Sequence, residues 1–386
     1  MANHVDIVLE RKKRARRRRM IKVFIVLLFL GLGIFIYRLR DVWFPKLEGI
    51  GSRYQDNVTR SEDADLTGEF ELKVSGGVDY HAGFIGNSLL ILCDKYLYVY
   101  TSDGKQKDSR QHAYSNAIMK IAGSRALIYS HNGTSFRLDT PNGNVYQAQT
   151  EKPIWFGVLS EDGYAAIVTE SETYACRLNI FDQSGKLMYS RECVERLSDV
   201  SFCSNGCIFS TVGATDGELL TTLSYITFDS DEVVWETEPL PTLCYELYAI
   251  PEGGAFVIGD DLAAYYSSTG ALVGSYDYNA TLVDYDYADG KAAILLQNEQ
   301  RRQSTLLLFS DKSTAPETVS IDSREKSVIL YDGEAYVLGA GSIRSFGFNG
   351  SETGSQPVKD AYDRILRYGK YFYLLGYDKI NRVTIK

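Results

Sequence analysis

From about Phe70 to the C-terminus, apolar residues fall in short runs, some continuous and some alternating with polar residues. Hardly any stretch has the spacing of an amphipathic helix. The runs are rich in Tyr, Val, Ile, Leu and Phe, and turn residues separate them about every eight to twelve positions. Runs of this composition, bounded by turns at this spacing, predict short strands and therefore an all-β body.

The turns are of two alternating kinds, and the first kind reveals an internal repeat. It places a glycine directly before or within the start of a strongly apolar run. The eight turns of this kind are Gly86-Asn87, Gly123-Ser124, Asp162-Gly163, Asn205-Gly206, Gly253-Gly254, Asp289-Gly290, Asp332-Gly333 and Tyr368-Gly369. Their glycines are spaced by 37, 40, 43, 48, 36, 43 and 36 residues, so the repeating unit is about 40 residues long.

The second kind of turn follows the next strand and occurs seven times, as in "LYVYTSDGKQ" and "LNIFDQSGKLMY". A unit of about 40 residues with four short strands is typical of a β-propeller blade. One such sheet cannot cover its own apolar faces, so neighbouring blades pack against each other in a ring. We predict eight four-stranded blades; seven is the alternative, because weak turns such as Gly123-Ser124 can be miscounted.

The two chain ends are predicted to close the ring together. The last unit, residues 361–386, has three strand candidates and ends before a fourth. The run "EFELKVS" at residues 69–75 is a strand candidate that precedes the first complete unit. Placed as the outermost strand of the last blade, it joins the first and last blades and removes an open sheet edge. The predicted propeller therefore spans residues 68–386.

The N-terminal segment predicts a membrane anchor. Residues 11–19 contain eight Arg or Lys in nine positions, and residues 21–37 are apolar apart from Lys22. We predict a basic cytoplasmic tail at 1–20, a single transmembrane helix at 21–37 and a tether at 38–67. No small-residue cleavage site follows the apolar run, so an uncleaved anchor is favoured over a removable signal. The positive-inside rule then places the propeller outside the cytoplasm, with residues 21–37 in the lipid bilayer of the cell membrane.

Charge is distributed unevenly along the chain. The net formal charge is -9, and the first 40 residues hold eleven Arg or Lys against two acids, a net of +9. The remaining residues therefore carry -9 minus 9, or -18. An acidic body repels the phosphate backbone, so nucleic acid is not expected as a partner.

Few residues suggest catalysis or metal binding. His81, His112 and His131 lie far apart and lack the close spacing of a metal site. No catalytic, metal-ligating or cofactor-binding residues are therefore predicted, and an enzyme is the less favoured interpretation.

One stretch suggests a binding patch. In "YDYNATLVDYDYADG" tyrosines alternate with aspartates, which would suit sugars, cationic groups or a basic partner if the side chains were exposed. The alternative is that the tyrosines pack between blades while the aspartates face solvent. The residues concerned are Tyr276, Asp277, Tyr278, Asp284, Tyr285, Asp286 and Tyr287.

Two cysteine pairs could form disulfides in an exported protein. A two-residue turn at Ser184-Gly185 would place Cys176 directly opposite Cys193. A three-residue loop would place Cys203 opposite Cys207. A shift of one residue in the register would defeat either pairing, and buried free thiols are the alternative.

The basic tail, anchor, tether and Tyr/Gly-rich repeats together resemble an uncharacterised family of membrane-anchored propellers from Gram-positive, clostridia-like bacteria. The body resembles the eight-bladed quinoprotein-like propellers more distantly. That second resemblance would imply a tryptophan-docking motif in each blade, but only Trp155 and Trp235 occur in the body. A quinone cofactor is therefore not expected.

The sequence thus favours a membrane-tethered, extracytoplasmic scaffold that binds a protein or an envelope polymer. An extracytoplasmic enzyme with a site built from loops at the central channel is the alternative. Fold alone does not decide between them.

Overall fold

A computed structural model describes residues 70–74, 80–230, 232–250, 253–298, 300, 302–310, 315–359 and 361–384. These residues form 32 β-strands. Within the part of the chain that the model describes, no helix is long and apolar enough to cross a membrane. The predicted tail, anchor and tether at residues 1–67 lie outside the described residues.

The strands form eight antiparallel sheets of four, which we number as blades in chain order. Blade 1 is β2 (His81–Ile85), β3 (Ser88–Leu92), β4 (Tyr96–Thr101) and β5 (Gln106–Gln111); blade 2 is β6 (Ala117–Ala122), β7 (Arg125–Ser130), β8 (Ser135–Thr140) and β9 (Gly143–Gln149). Blade 3 is β10 (Ile154–Leu159), β11 (Ala165–Thr169), β12 (Cys176–Phe181) and β13 (Leu187–Cys193); blade 4 is β14 (Arg196–Cys203), β15 (Gly206–Thr215), β16 (Glu218–Thr227) and β17 (Val233–Glu236).

The second half of the ring follows the same order. Blade 5 is β18 (Cys244–Ala249), β19 (Ala255–Gly259), β20 (Leu262–Tyr266) and β21 (Leu272–Asp277); blade 6 is β22 (Thr281–Ala288), β23 (Lys291–Asn298), β24 (Gln303–Phe309) and β25 (Glu317–Ile321). Blade 7 is β26 (Glu325–Tyr331), β27 (Glu334–Gly339), β28 (Ser342–Gly347) and β29 (Glu352–Pro357); blade 8 is β30 (Arg364–Tyr368), β31 (Tyr371–Leu375), β32 (Lys379–Thr384) and β1 (Glu71–Lys73).

The eight sheets confirm the all-β propeller with eight four-stranded blades and exclude the alternative of seven. The first strand of each blade is innermost, and these strands contact their neighbours around the ring, for example β2 with β6 and β30 with β2. Strand β1 pairs with β32 in the order β1-β32-β31-β30. Leu72 lies opposite Ile380, so a strand from each chain end shares the last blade.

The core is divided into eight apolar clusters, one at each interface between adjacent blades. The second strand of each blade supplies both of its faces to these clusters. In β15, for example, Cys207 packs towards blade 3 and Ile208 towards blade 5. Burial on both faces explains why these strands are continuous apolar runs rather than alternating ones. Each fully buried Leu or Ile contributes about 2 kcal/mol.

The antiparallel order gives the ring two different faces. Connections from the first to the second strand and from the third to the fourth lie on one face, which we call the turn face. Connections from the second to the third strand, and from each blade to the next, lie on the other face, which we call the entry face. Eleven of the twelve described glycines with positive φ lie in turn-face connections, and Gly217 is the exception. Tight hairpins need positive φ, which glycine adopts at little cost, so these are the glycine turns seen in the sequence.

Candidate functional site

Large apolar side chains are exposed on two parts of the described ring. Six are at the entry face: Tyr96, Tyr174, Val194, Leu219, Tyr245 and Tyr377. Six are on outermost strands: Val145, Leu187, Met188, Val234, Leu272 and Val273. None of the twelve lies within a described turn of the turn face, but five of the outermost-strand residues are the first or second residue after such a turn. The exposed fraction reaches 78% for Val194 and 70% for Tyr377, so these side chains make little contact within the ring.

Acidic residues accompany the apolar ones over blades 3–5 of the entry face. We define the acidic sector as the entry-face connections 150–153, 170–175, 194–195, 216–217, 237–243 and 260–261. It holds eight acids and one lysine: Glu151, Glu170, Glu172, Glu195, Asp216, Glu238, Asp260 and Asp261, with Lys152. Every acid except Asp260 is exposed. Lys152 Nζ pairs with Glu172 Oε1 at 2.5 Å, so the one cation is already used within the sector.

The described connections in the rest of the entry face are electrically balanced. They hold Asp94, Asp322, Asp363 and Asp378 against Lys95, Arg302, Arg324 and Lys359. The turn face of blades 3–5 is also acidic, with five described acids against Lys186. Charge alone therefore does not single out a surface, whereas charge combined with exposed tyrosines does, because the four exposed tyrosines of the described residues are all at the entry face.

The apolar side chains of the outermost strands occupy a repeated position. In four consecutive blades the outermost strand has a bulge, and the extra residue is apolar and exposed. These residues, which we call the rim bulges, are Val145, Met188, Val234 and Val273 of blades 2–5. The same bulge in blade 1 carries Lys107 and in blade 7 carries Thr353. Charged and polar residues protect sheet edges, so blades 2–5 have the less protected edges.

The structure separates the predicted patch of tyrosines and aspartates into two places. Tyr276 and Asp277 end the outermost strand of blade 5, whereas residues 284–287 lie on the innermost strand of blade 6. Tyr278, between them, is buried, and its hydroxyl donates to the carbonyl oxygens of Gly259 and, over 3.0 Å, Leu262. A single exposed patch is therefore wrong, because the connection between blades carries the chain from the rim to the channel.

The aspartates of that stretch join blades. Val328 N–H donates to Asp284 Oδ2 over 2.8 Å, and Leu330 N–H donates to Asp286 Oδ2 over 2.6 Å. Both donors lie on the innermost strand of the next blade, β26, whose inner edge has no neighbouring strand. An unpaired backbone N–H is costly when buried, so each carboxylate supplies the acceptor that a fifth strand would supply.

The same device occurs two blades earlier. Leu247 N–H donates to Asp199 Oδ2 over 2.7 Å, and Ala249 N–H donates to Ser201 Oγ over 2.9 Å. Asp199 and Ser201 lie on β14, and their donors lie on β18. The polar residues of "SDVS" and "VDYDY" thus hold equivalent positions and have equivalent partners.

Tyrosines form the intervening interface between blades 5 and 6. The Tyr285 hydroxyl donates to Glu246 Oε2 over 3.1 Å. The Tyr248 and Tyr287 rings stack with centroids 4.4 Å apart and an interplanar angle of 18°. Burial raises the pKa of both Tyr248 and Tyr285, and the nearby Glu246 carboxylate raises it further. Tyrosines therefore pack between these blades, whereas Asp284 and Asp286 accept backbone N–H bonds of the next blade instead of facing solvent, so the alternative interpretation holds for the tyrosines and is wrong for these two aspartates.

Asp199 has an unusual environment among these groups. Burial, and then the neighbouring Glu246 carboxylate, raise the pKa of Asp199 to about 8. The Leu247 N–H bond and the Lys120 charge act in the opposite direction. Burial also raises the pKa of Asp284 and Asp286. Carboxyl groups of three consecutive blades thus line the innermost strands, and three of them accept backbone N–H bonds.

The two cysteine pairs differ in register. Cys176 lies directly opposite Cys193, as predicted, and both thiols are free and buried. Their disulfide stays a prediction. Cys203 pairs with Gly206, and Cys207 pairs with Phe202, because the loop has two residues rather than three. Adjacent strand positions point to opposite faces of a sheet, so Cys203 and Cys207 enter different core clusters, and the predicted opposition of these two cysteines is wrong.

Histidines and acids do not gather into a metal site within the described residues. His112 Nε2 lies 2.8 Å from the Cys93 carbonyl oxygen, and His131 Nδ1 lies 2.7 Å from that of Trp155. Each of these two rings is thus engaged with the backbone.

Sequence reasoning did not find the entry-face residues, although a signal for them exists. Tyr174 and Tyr377 each lie in a polar connection between a second and a third strand, where a large apolar residue has no neighbouring strand to cover it. The strand register must be known before these positions can be assigned to one face. Residues far apart in sequence then meet on neighbouring blades.

Comparison with solved structures places the body among known propellers. The chain resembles BamB from Moraxella catarrhalis (TM-score 0.53, 10% identity, 81% of this chain and 98% of that chain). It also resembles Sqt1 from Saccharomyces cerevisiae (TM-score 0.59, 11% identity, 82% and 98%). A third similar structure is apo AztD from Citrobacter koseri (TM-score 0.51, 11% identity, 76% and 89%). Likeness at this identity establishes the fold alone.

Sequence comparison gives the family. Curated proteins yielded no significant match to this chain. A family model matches residues 60–385, which is nearly the whole propeller and the segment just before it. The chain therefore belongs to the family of unknown function DUF5711.

Proposed function

We propose that the protein is a membrane-tethered, extracytoplasmic scaffold that binds another protein at the entry face of its propeller. The observation that carries this proposal is that the four exposed tyrosines of the described ring, together with Val194 and Leu219, all lie at the entry face. Exposed apolar groups that recur on one side of a soluble fold are typical of interaction surfaces. Propellers of many functions use the same ring, so the surface carries the proposal and the fold does not.

Two separate surfaces suit a scaffold better than one. The acidic sector and the rim bulges both belong to blades 2–5, but they point in different directions, along the ring axis and outward. A partner at the entry face would leave the rim available for a second protein. Among the described residues of the other half of the ring, Tyr96 and Tyr377 are the exposed large apolar ones.

The tether is proposed from the N-terminal sequence. The basic run at 11–19 and the apolar run at 21–37 support an uncleaved anchor with the propeller outside the cytoplasm. The likeness in layout to membrane-anchored propellers of clostridia-like bacteria agrees with it. A reporter fused after Lys386 that works only outside the cytoplasm should be active; activity of a cytoplasmic reporter at the same position would overturn the orientation.

The alternative of an enzyme at the central channel has weaker support. Among the described residues, the carboxylates on the innermost strands of blades 4–6 are the group that could serve it. Asp199, Asp284 and Asp286 each accept a backbone N–H of the next blade, so their oxygens hold the ring together. The geometry therefore favours binding over catalysis.

The test uses the full chain expressed in its native membrane. Partners captured by chemical crosslinking are compared between wild type and a Tyr174→Ser/Tyr245→Ser variant. The matched control is Asn87→Ser/Asn205→Ser, which changes two exposed residues of the turn face. We expect the entry-face variant to lose capture of a partner about tenfold or more, as for aromatic residues at the centre of interfaces, and the control to keep it. Equal capture by all three proteins would overturn the proposal.

A further inference from the structure

We propose that the acidic sector binds a cationic, amphipathic segment of a partner protein, one in which Lys or Arg residues flank apolar side chains. This inference rests on the proposed function and adds the chemistry of the partner.

The acidic sector is complementary in charge to a cationic segment. The sector has eight acids and one lysine, and seven of the acids are exposed. The Lys152 charge is paired with Glu172. Arg177, at the edge of the sector, pairs with Glu192 at 2.5 Å and Glu151 at 3.4 Å. Most of the negative charge is therefore left to attract cations from outside the ring, and electrostatic attraction of this kind speeds association and selects partners.

Exposed apolar side chains lie among the acids of the sector. Tyr174, Val194, Leu219 and Tyr245 are exposed among these acids, one on each of four successive connections or strand ends of blades 3–5. A purely polar cation, such as a simple polyamine, would leave these side chains in water. A segment with both apolar and cationic residues would cover them, and tyrosine rings also attract guanidinium and ammonium groups directly.

Two long strands of blade 4 project at the entry face. Strands β15 and β16 are ten residues each, longer than the other described strands. The last pair between β14 and β15 is Arg196 with Val212, so residues 213–220 extend as a two-stranded ribbon beyond β14. The ribbon tip, with Asp216 and Leu219 exposed, projects at the entry face. A projecting wall beside the sector would hold a bound segment on one side.

The same charge argues against the other candidate occupants. An anionic envelope polymer or an anionic lipid surface would be repelled by the sector, and the repulsion would be strongest at low salt. Of the partners considered from the sequence, the geometry favours the protein over such a polymer.

The test uses the detergent-solubilised full chain and a synthetic amphipathic peptide of Lys and Leu, with a Glu and Leu peptide of the same pattern as the control probe. The sector variant is Glu170→Gln/Asp216→Asn/Glu238→Gln, which removes three exposed charges without changing side-chain size. The turn-face control is Glu161→Gln/Asp162→Asn/Glu232→Gln, three exposed acids of the same blades. Binding is followed by fluorescence anisotropy at several salt concentrations, with circular dichroism and thermal unfolding to confirm folding.

We expect the Lys/Leu peptide to bind wild type and the turn-face control within about twofold of each other, and the sector variant about tenfold more weakly. Binding should weaken as salt rises, and the Glu/Leu peptide should not bind. Equal binding to the sector variant and the turn-face control would overturn the inference.

The partner captured in membranes separates this inference from the proposed function. If the sector variant still captures that partner as well as wild type, while the Tyr174→Ser/Tyr245→Ser variant does not, the scaffold function stands and the cationic chemistry is wrong. If neither variant loses the partner, the scaffold proposal itself fails. If both lose it, both are supported.

Discussion

The two faces of the propeller are built from the same chain by different rules. The turn face consists of short hairpins that hold eleven of the twelve described glycines with positive φ, and its described turns expose no large apolar side chain. The entry face consists of the connections between blades and between second and third strands. It carries six of the exposed large apolar side chains and, over blades 3–5, the acidic sector. One face is constrained by backbone geometry, and the other is left open to side chains that contribute little to folding.

The two faces therefore differ in what a substituted side chain would contact. At Gly206 and Gly254 of the turn face, an added Cβ would lie 1.9 Å and 2.4 Å from a backbone carbonyl oxygen of the third strand. At the exposed side chains of the entry face, a substitution meets solvent or a partner. We therefore expect stability to respond to the turn face and binding to respond to the entry face.

The largest change in the free energy of unfolding is expected at the turn-face end of β15, and the entry-face end of the same strand is the comparison. A Cβ at Gly206, at the turn-face end of β15, would lie 1.9 Å from the Ile226 carbonyl oxygen. A Cβ at Gly213, towards the entry-face end of the same strand, would meet only Glu195 Oε1 at 3.6 Å, an ordinary contact. Gly206→Ala should lower the free energy of unfolding by about 3 kcal/mol or more, because backbone must move. Gly213→Ala should change it by less than about 1 kcal/mol.

Urea unfolding of both variants measures the difference in midpoint. Equal midpoints for the two substitutions would show that the turn face is not the constrained one. The slope of unfolding should stay the same in both, since neither change alters the surface exposed on unfolding.

The next effect concerns pH and the innermost strands. Because the pKa of Asp199 is raised to about 8, the native state keeps this proton where the unfolded chain has released it. Between about pH 4, where an unfolded aspartate titrates, and about pH 8, each rise in pH therefore favours unfolding through this group. Its contribution is at most about 1.4 kcal/mol per pH unit. Asp199→Asn keeps an acceptor for the Leu247 N–H and should remove this slope.

Thermal or urea unfolding of wild type and Asp199→Asn at pH 5 to 8, about one unit apart, isolates this group, because the other titrating groups contribute equally to both proteins. Glu246 and Lys120 face Asp199 and remain in both. Parallel stability curves for the two proteins would contradict the assignment of a raised pKa.

The smallest expected change is in partner capture by single tyrosine variants, which compares the acidic sector with the rest of the entry face. Tyr245 and Tyr377 are both exposed at this face, but Tyr245 borders the sector at the start of β18, whereas Tyr377 lies on blade 8, away from the sector. Tyr245→Ser should weaken capture of the partner about tenfold, or about 1.4 kcal/mol, while Tyr377→Ser leaves it unchanged. Neither should alter stability by more than about 0.5 kcal/mol, as is usual at exposed positions.

Quantitative crosslinking from membranes, with wild type as reference, measures both variants. An equal loss for both would extend the binding surface around the whole face. A loss for Tyr377→Ser alone would move it away from blades 3–5.

The fold was accessible to sequence because its strongest signals are local. The glycine turns and the apolar runs of the second strands repeat at a nearly constant spacing, and both follow from backbone geometry and burial. Blade number and four-stranded blades could therefore be predicted. The Cys176 and Cys193 register could be derived because a recognisable turn lies midway between them.

The proposed binding surface was not accessible from the sequence, because it depends on radial and axial position in the ring. Tyr276 and Tyr285 are close in sequence, yet they lie on an outermost and an innermost strand. Tyr174, Leu219 and Tyr245 are distant in sequence, yet they lie on one face of neighbouring blades. At Cys203, one residue more or less in the loop decides which face of the sheet the thiol meets, and residue types do not settle that.

A photo-crosslinking scan of the full chain in its own membrane tests most directly whether the entry face binds a partner protein. A crosslinking amino acid is placed singly at Tyr174, Tyr245 and Leu219 on the entry face, and at Asn87 and Asn205 on the turn face. We predict that the entry-face positions yield a common protein adduct and that the turn-face positions do not. A common adduct from the turn-face positions, with none from the entry face, would contradict partner binding at the entry face.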